Sequence, residues 1–265
     1  MEGPPVHRFT IATVHPRLIQ FGHLAIPTSA VLTAIAIVAA LFTARATAQR
    51  LGLNPEKIWD LNITGVLTAL IAPRLLLIFT NWQDFLSHPL WMLGLTTIRS
   101  PTAAIGGIAI AIAVMAIFAY FTNLPFRRTL DSLAPALALG YAIYNVAAFT
   151  AGADFGTPTN LPWAITYTSR LASLWNKTPL GTPVHPIQIY AAIVELALFL
   201  LLTAAIAAPL RKRLPNGELM GTWLFLHGLT SFFLSFLRGD LTSATLVQSQ
   251  IIAAAMVAAG GLLWL

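Results

Sequence analysis

The chain of 265 residues contains no cysteine and little charge: Asp, Glu, Lys and Arg together make up 9% of it. The first absence rules out disulfides, thiolate metal sites and a cysteine nucleophile. The second says more, because a soluble domain is about a quarter charged, and a chain this poor in charge has lipid as its main solvent. The sequence also lacks an internal repeat and the strict alternation of apolar and polar residues that marks a membrane β-strand. What it has is apolar length: 57% of its residues are hydrophobic, and the mean hydropathy is +0.76.

A helix needs about 20 predominantly apolar residues to cross the hydrocarbon of a bilayer. Seven runs qualify, at 24–44, 61–80, 103–122, 133–151, 188–208, 221–237 and 246–265. Continuous apolar runs can satisfy their backbone in lipid only as helices. The predicted fold is therefore all-α, a polytopic membrane protein with about seven transmembrane helices in a single domain over 1–265. The first run is longer than the core of a signal peptide, about 7–15 residues, and follows a mixed segment with Pro4, Pro5, His7, Arg8 and His15. A cleaved leader is not expected.

The net charge of +6, from 15 Lys+Arg against 9 Asp+Glu, gives the orientation. Arg45, Arg50, Lys57, Arg127, Arg128, Arg211, Lys212 and Arg213 fall in the connections after the first, third and fifth spans. Arg8, Arg17, Arg99, Arg170, Lys177 and Arg238 fall on the other side. The tighter cluster belongs in the cytoplasm, which places the N-terminus outside and the C-terminus inside. The excess of base serves the anionic membrane face, and no nucleic-acid partner is needed to account for it. The longest connection, 152–187, mixes Trp163, Tyr167 and Trp175 with Pro158, Pro162, Pro179, Gly181 and Pro183. It reads as an interfacial segment on the outer face.

Ionisable side chains at membrane depth are expensive and therefore candidates for function. Arg74 lies in the second span, Glu195 in the fifth and His227 in the sixth; Arg238 and Asp240 close the sixth, and Asp154 and His185 stand at the mouths of neighbouring spans. Arg74 with Glu195, or Arg238 with Asp240, could equally be structural ion pairs, and His227 reads as a packed, hydrogen-bonded ring. Arg238 sits where headgroups are found, and guanidinium binds phosphate bidentately. Gly106, Gly107, Gly152 and Gly156 permit close backbone approach, to a lipid or to a neighbouring helix. From chemistry alone the chain is a lipid-handling bundle. A transporter is disfavoured, for no matched pair of interrupted spans is present. No metal or cofactor signal is found.

Several stretches resemble the bacterial prolipoprotein diacylglyceryl transferases. They begin with Val14-His15-Pro16-Arg17-Leu18-Ile19-Gln20-Phe21-Gly22, Arg50-Leu51-Gly52-Leu53-Asn54-Pro55-Glu56 and Ala72-Pro73-Arg74-Leu75. Asp131-Ser132-Leu133-Ala134-Pro135 follows, then Pro158-Thr159-Asn160-Leu161-Pro162-Trp163, His185-Pro186-Ile187-Gln188-Ile189-Tyr190 and Phe236-Leu237-Arg238-Gly239-Asp240. The resemblance implies transfer of a diacylglyceryl group from phosphatidylglycerol to the lipobox cysteine of a prolipoprotein signal peptide, in the bacterial inner membrane and without a cofactor. It implies catalytic roles for Arg238 and Arg74, and lipid contacts from Asn145, Asp240, His185, Gln188, Tyr190, Glu195, Gly106 and Gly107. The family's histidine falls at Ile105, its fourth-helix arginine at Asn145 and a glutamate at Ala191. A non-catalytic relative that binds phospholipid or lipoprotein precursors is the alternative reading.

Overall fold

The computed structural model describes residues 17–21, 24–87, 100–207 and 215–265. Arg8, Arg99, Arg211, Lys212 and Arg213 lie outside the described residues, as do Val14, His15, Pro16 and Gly22 of the opening motif.

Helix dominates. In chain order the elements are strands β1 (Arg17–Phe21) and β2 (Leu24–Pro27), then helices α1 (Thr28–Arg50), α2 (Pro55–Thr80), α3 (Trp82–Ser87), α4 (Pro101–Phe121) and α5 (Phe126–Ala151). After these come β3 (Ile165–Thr166), α6 (Arg170–Asn176), β4 (Pro183–Val184), α7 (Ile187–Ala207), α8 (Glu218–Ser235) and α9 (Ser243–Leu263). Among the described residues six helices, α1, α2, α4, α5, α7 and α9, are long and apolar enough to cross a membrane. The seventh expected run, 221–237, falls mostly on α8, which is shorter, carries Glu218 and His227, and is not among those six. Large apolar side chains stand exposed along the long helices, Phe42, Leu67, Phe79, Ile112 and Leu200 among them. Exposed apolar surface on helices of spanning length and hydropathy is a surface for lipid. The chain is a multi-pass membrane protein.

Helix ends follow from local chemistry. The first span starts at Thr28 rather than residue 24, because Leu24–Pro27 pairs antiparallel with Arg17–Phe21 and the residue before a proline is steered away from helix. Asn54 caps α2 by accepting from the amides of Glu56 and Lys57 at 3.0 and 3.2 Å, with Pro55 in the first turn, where a missing N–H costs nothing. Ser100 does the same for α4, and Thr242 and Thr245 form a reciprocal capping box at α9. Two of the basic residues expected in the cytoplasm cap helix C-termini: Lys57 Nζ donates to the Thr122 carbonyl at 2.9 Å, and Arg128 donates to that of Leu51.

Two compact units make up the chain, one of Met1–Thr47 with Leu130–Leu265, the other of Ala48–Thr129. In the second, α2 packs along α4 through small residues: Met115 fills the space over Gly65, Leu76 that over Gly106, and the Pro73 ring that over Gly107. In the first, α8 and α9 form the closest pair. Gly221 and Gly260 face each other so tightly that a Cβ on Gly260 would stand 2.7 Å from the Gly221 carbonyl. The 152–187 connection has a small core of its own. It buries Phe155, Ile165, Tyr167 and Val184 together and pairs β3 with β4.

α8 begins at Gly217, which has no side chain to cap with. Asp131, fully buried on α5, supplies the cap from a distance, accepting from the amides of Gly217 at 2.8 Å and Met220 at 3.1 Å. A carboxylate at a helix N-terminus gains from both hydrogen bonds and dipole. Asp131→Ala strands both donors and should cost about 1–3 kcal/mol, seen as a lower thermal midpoint of the detergent-solubilised protein. Asp131→Asn, which keeps one acceptor, should lose less; an unchanged midpoint in both would rule out the capping role.

Candidate functional site

Past the end of α8 the chain turns through Phe236 and Leu237, and Arg238 forms an antiparallel bridge with Gly156, beside Phe155 and Thr157. The Thr157 amide donates to the Leu237 carbonyl at 2.7 Å, and the Gly239 amide to that of Phe155 at 2.8 Å. A Cβ on Gly239 would stand 2.7 Å from the Gly156 carbonyl, and one on Gly156 would strike the backbone of His185. Only glycine lets these three segments meet. His185 completes the layer, its amide donating to the Thr157 carbonyl at 3.0 Å.

That layer fixes Arg238. Its Nε donates to Asp240 Oδ1 at 2.9 Å and its Nη2 to Asp240 Oδ2 at 2.6 Å; Nη2 also donates to Asp154 Oδ1 at 2.6 Å. Burial works to lower the Arg238 pKa, but the hydrogen bond to Asp240 and the charges of Asp154 and Asp240 lift it above its ordinary value. It is a permanent cation. Burial pushes the Asp154 carboxyl up, against the attraction of Arg238. Beneath lies Gln188, buried, with Nε2 donating to the Ala153 carbonyl at 2.5 Å and to the Tyr167 hydroxyl at 3.3 Å. Tyr190 accepts from Trp163 Nε1 at 2.7 Å, and its ring lies beside that of His185.

A second cluster is formed where α5, α7 and α8 meet. Glu195, 2% exposed, accepts from Trp223 Nε1 at 3.1 Å and pairs with His227 Nδ1. The His227 ring lies between Trp223 and Tyr141, with centroids at 4.8 and 4.9 Å, and Nε2 is 3.5 Å from Ser231 Oγ. Asn145 stands one turn beyond Tyr141, its amide donating to the Tyr141 carbonyl at 2.8 Å. His227 and Arg238 are eleven residues apart on one element and its extension, roughly 16 Å at helical rise. One reacting centre cannot use both.

Of the residues expected from sequence, Arg238, Asp240, His185, Gln188 and Tyr190 are thus gathered around one cluster beyond the end of α8, while Glu195 belongs to the buried one and Asn145 stands one turn from its Tyr141. Arg74, Gly106 and Gly107 lie in the other unit. Arg74 Nη1 donates to the Leu70 carbonyl of its own helix at 2.6 Å. Sequence reasoning noticed Asp154 but did not set it among the site residues; its only signal was a charge just past a helix end.

A family model described as prolipoprotein diacylglyceryl transferase matches residues 16–265. The chain belongs to the prolipoprotein diacylglyceryl transferase family. It is 30% identical over 269 residues to the phosphatidylglycerol–prolipoprotein diacylglyceryl transferase of Nostoc sp., covering 97% of this chain and 91% of that one. The proteins of the same name from Synechococcus elongatus and Finegoldia magna are each 30% identical. The former match covers 94% of this chain and 87% of the relative, the latter 88% of each.

Within this diacylglyceryl transferase scaffold, Ile105 stands 43% exposed on α4 and offers neither proton nor acceptor, and the Ala191 methyl on α7 is equally inert. Glu195 is paired with His227, and Arg238 with Asp154 and Asp240. Truncating one partner of a buried pair leaves the other uncompensated, so Glu195→Ala should lower stability by about 3–5 kcal/mol in thermal unfolding. The double variant with His227→Ala should lose less than the sum of the two singles. Strict additivity would mean that the pair contributes nothing as a pair.

Proposed function

We propose that this protein transfers a diacylglyceryl group from phosphatidylglycerol to the lipobox cysteine thiol of a prolipoprotein signal peptide, at the outer face of a bacterial inner membrane. Membership of the transferase family supports the reaction. The observation that carries the site is Arg238: an always-charged guanidinium, gripped side-on by Asp240, at the end of a membrane-embedded bundle, where a phospholipid presents its phosphate.

The thiol sulfur attacks the glycerol carbon that bears the phosphate ester. A carbon–sulfur bond forms, the carbon–oxygen bond breaks, and glycerol phosphate leaves with the bonding pair. Charge on the phosphate grows from one towards two as it leaves. A preorganised cation aimed at that position stabilises the transition state more than the ground state. The thiol proton ends on the departing phosphate, whose second ionisation lies near pH 6; Ile105 provides no base. Tyr190, Trp163 and His185 line the approach on the headgroup side, and the exposed apolar helix faces accept the acyl chains. Arg74 is assigned a second catalytic charge on the strength of the sequence resemblance.

The test is transfer of labelled diacylglyceryl from phosphatidylglycerol to a lipobox peptide by the purified full chain. Wild type should form thioether above a no-enzyme control. Arg238→Ala should lower the rate by a factor on the order of 10²–10³, the usual loss for one transition-state donor, and Arg74→Ala should lower it as well. A protein that bound phosphatidylglycerol but formed no thioether would be a lipid-binding relative instead.

A further inference from the structure

Arg238 is not an empty grip. A guanidinium has five N–H groups in a rigid fork. Asp240 takes the side edge, with Oδ1 on Nε and Oδ2 on Nη2. The second N–H of Nη2 goes to Asp154 Oδ1, and Nη1 has no hydrogen-bond partner among the described residues. A phosphodiester bound in the bidentate way that makes arginine its preferred receptor needs the remaining edge, Nη1 together with Nη2. That edge is half taken by Asp154.

The two carboxylates are not equivalent. Asp240 is two residues from Arg238 and holds it with both oxygens. Asp154 comes from 84 positions away, holds it with one, and its side chain is 33% exposed. Its backbone is set for the task. Gly152 and Asp154 both lie in the left-handed region, at φ +69° and +52°, in the turn that follows α5, and buried Gln188 ties that turn down through the Ala153 carbonyl. Asp154 is thereby presented to Arg238 on a fixed support, independent of Asp240.

On the reading of Arg238 as the lipid-phosphate grip, we infer that Asp154 determines the headgroup specificity of this protein. Its carboxylate occupies the phosphate edge of Arg238, and a lipid docks by displacing it. Once displaced, the carboxylate remains beside the bound headgroup. It accepts hydrogen bonds from the hydroxyls of a neutral polyol such as glycerol, and it repels a headgroup that carries charge beyond the single one of the diester. The cluster of one cation and two anions therefore favours a singly charged phosphodiester lipid with an uncharged head over a doubly charged phosphomonoester lipid.

The test is equilibrium binding of the purified full chain to nanodiscs holding phosphatidylglycerol or phosphatidic acid in a neutral lipid background. Asn and Gly are the residues best suited to φ +52°, so Asp154→Asn and Asp154→Gly both remove the charge without straining the turn. Both should tighten phosphatidylglycerol binding by about three- to tenfold, a modest gain for a pair a third exposed, and should tighten phosphatidic acid binding more, narrowing the preference between the two. Weaker or unchanged binding in both variants would overturn the inference, leaving Asp154 as a support for Arg238. Arg238→Gln separates that failure from the other: it should abolish binding, and equal binding by wild type and Arg238→Gln would remove the phosphate grip itself and the role of Asp154 with it.

Discussion

A backbone amide in hydrocarbon has no water to bond, and every feature of this protein is arranged around that deficit. Within each span the helix satisfies its own backbone; the difficulty is at the ends, where four donors or four acceptors are left over. Here they are met one by one, by Asn54, Ser100 and Thr242 from within the chain's own turns. Asp131 meets them across the fold, and Lys57 and Arg128 act at the carbonyl ends. Asp131, Lys57 and Arg128 are charges used to finish helices.

The same deficit explains why the helices meet through glycine. Lipid tails are as apolar as leucine, so no hydrophobic drive pulls spans together, and association rests on close van der Waals contact. Gly65 of α2 under Met115 of α4, Gly106 and Gly107 of α4 against Leu76 and Pro73 of α2, and Gly221 against Gly260, give that contact. It also explains the pairing of polar groups. Glu195 would be intolerable alone at 2% exposure, and it is met by Trp223 and His227.

Charge that is paired in the interior leaves chemistry to the margin. Arg238 lies beyond the helix, bridged to Gly156 beside Phe155 and His185, and its Nη1 has no hydrogen-bond partner among the described residues. The Glu195–His227 pair is a separate cluster, between α7 and α8. On the proposed reading, specificity and catalysis converge on one short stretch, Phe236 to Asp240, and on the turn after α5 that faces it.

The sequence by itself determined the membrane class, the helical type of the long apolar elements and the family, because these depend on composition, run length and local motifs. It also carried the Arg238–Asp240 pair, two residues apart. It misjudged the start of α1, where Pro27 and a strand pairing compete with apolar length, and it did not show that 152–187 has a small core of its own. Only the tertiary structure joined Asp131 to the start of α8, Glu195 to His227, and Asp154 to Arg238, at separations of 86, 32 and 84 residues. Periodicity and hydropathy report what one segment does with its solvent. Which carboxylate meets which cation is decided by how segments pack, and in a membrane, where an unmet charge is most costly, that choice sets what the site can bind.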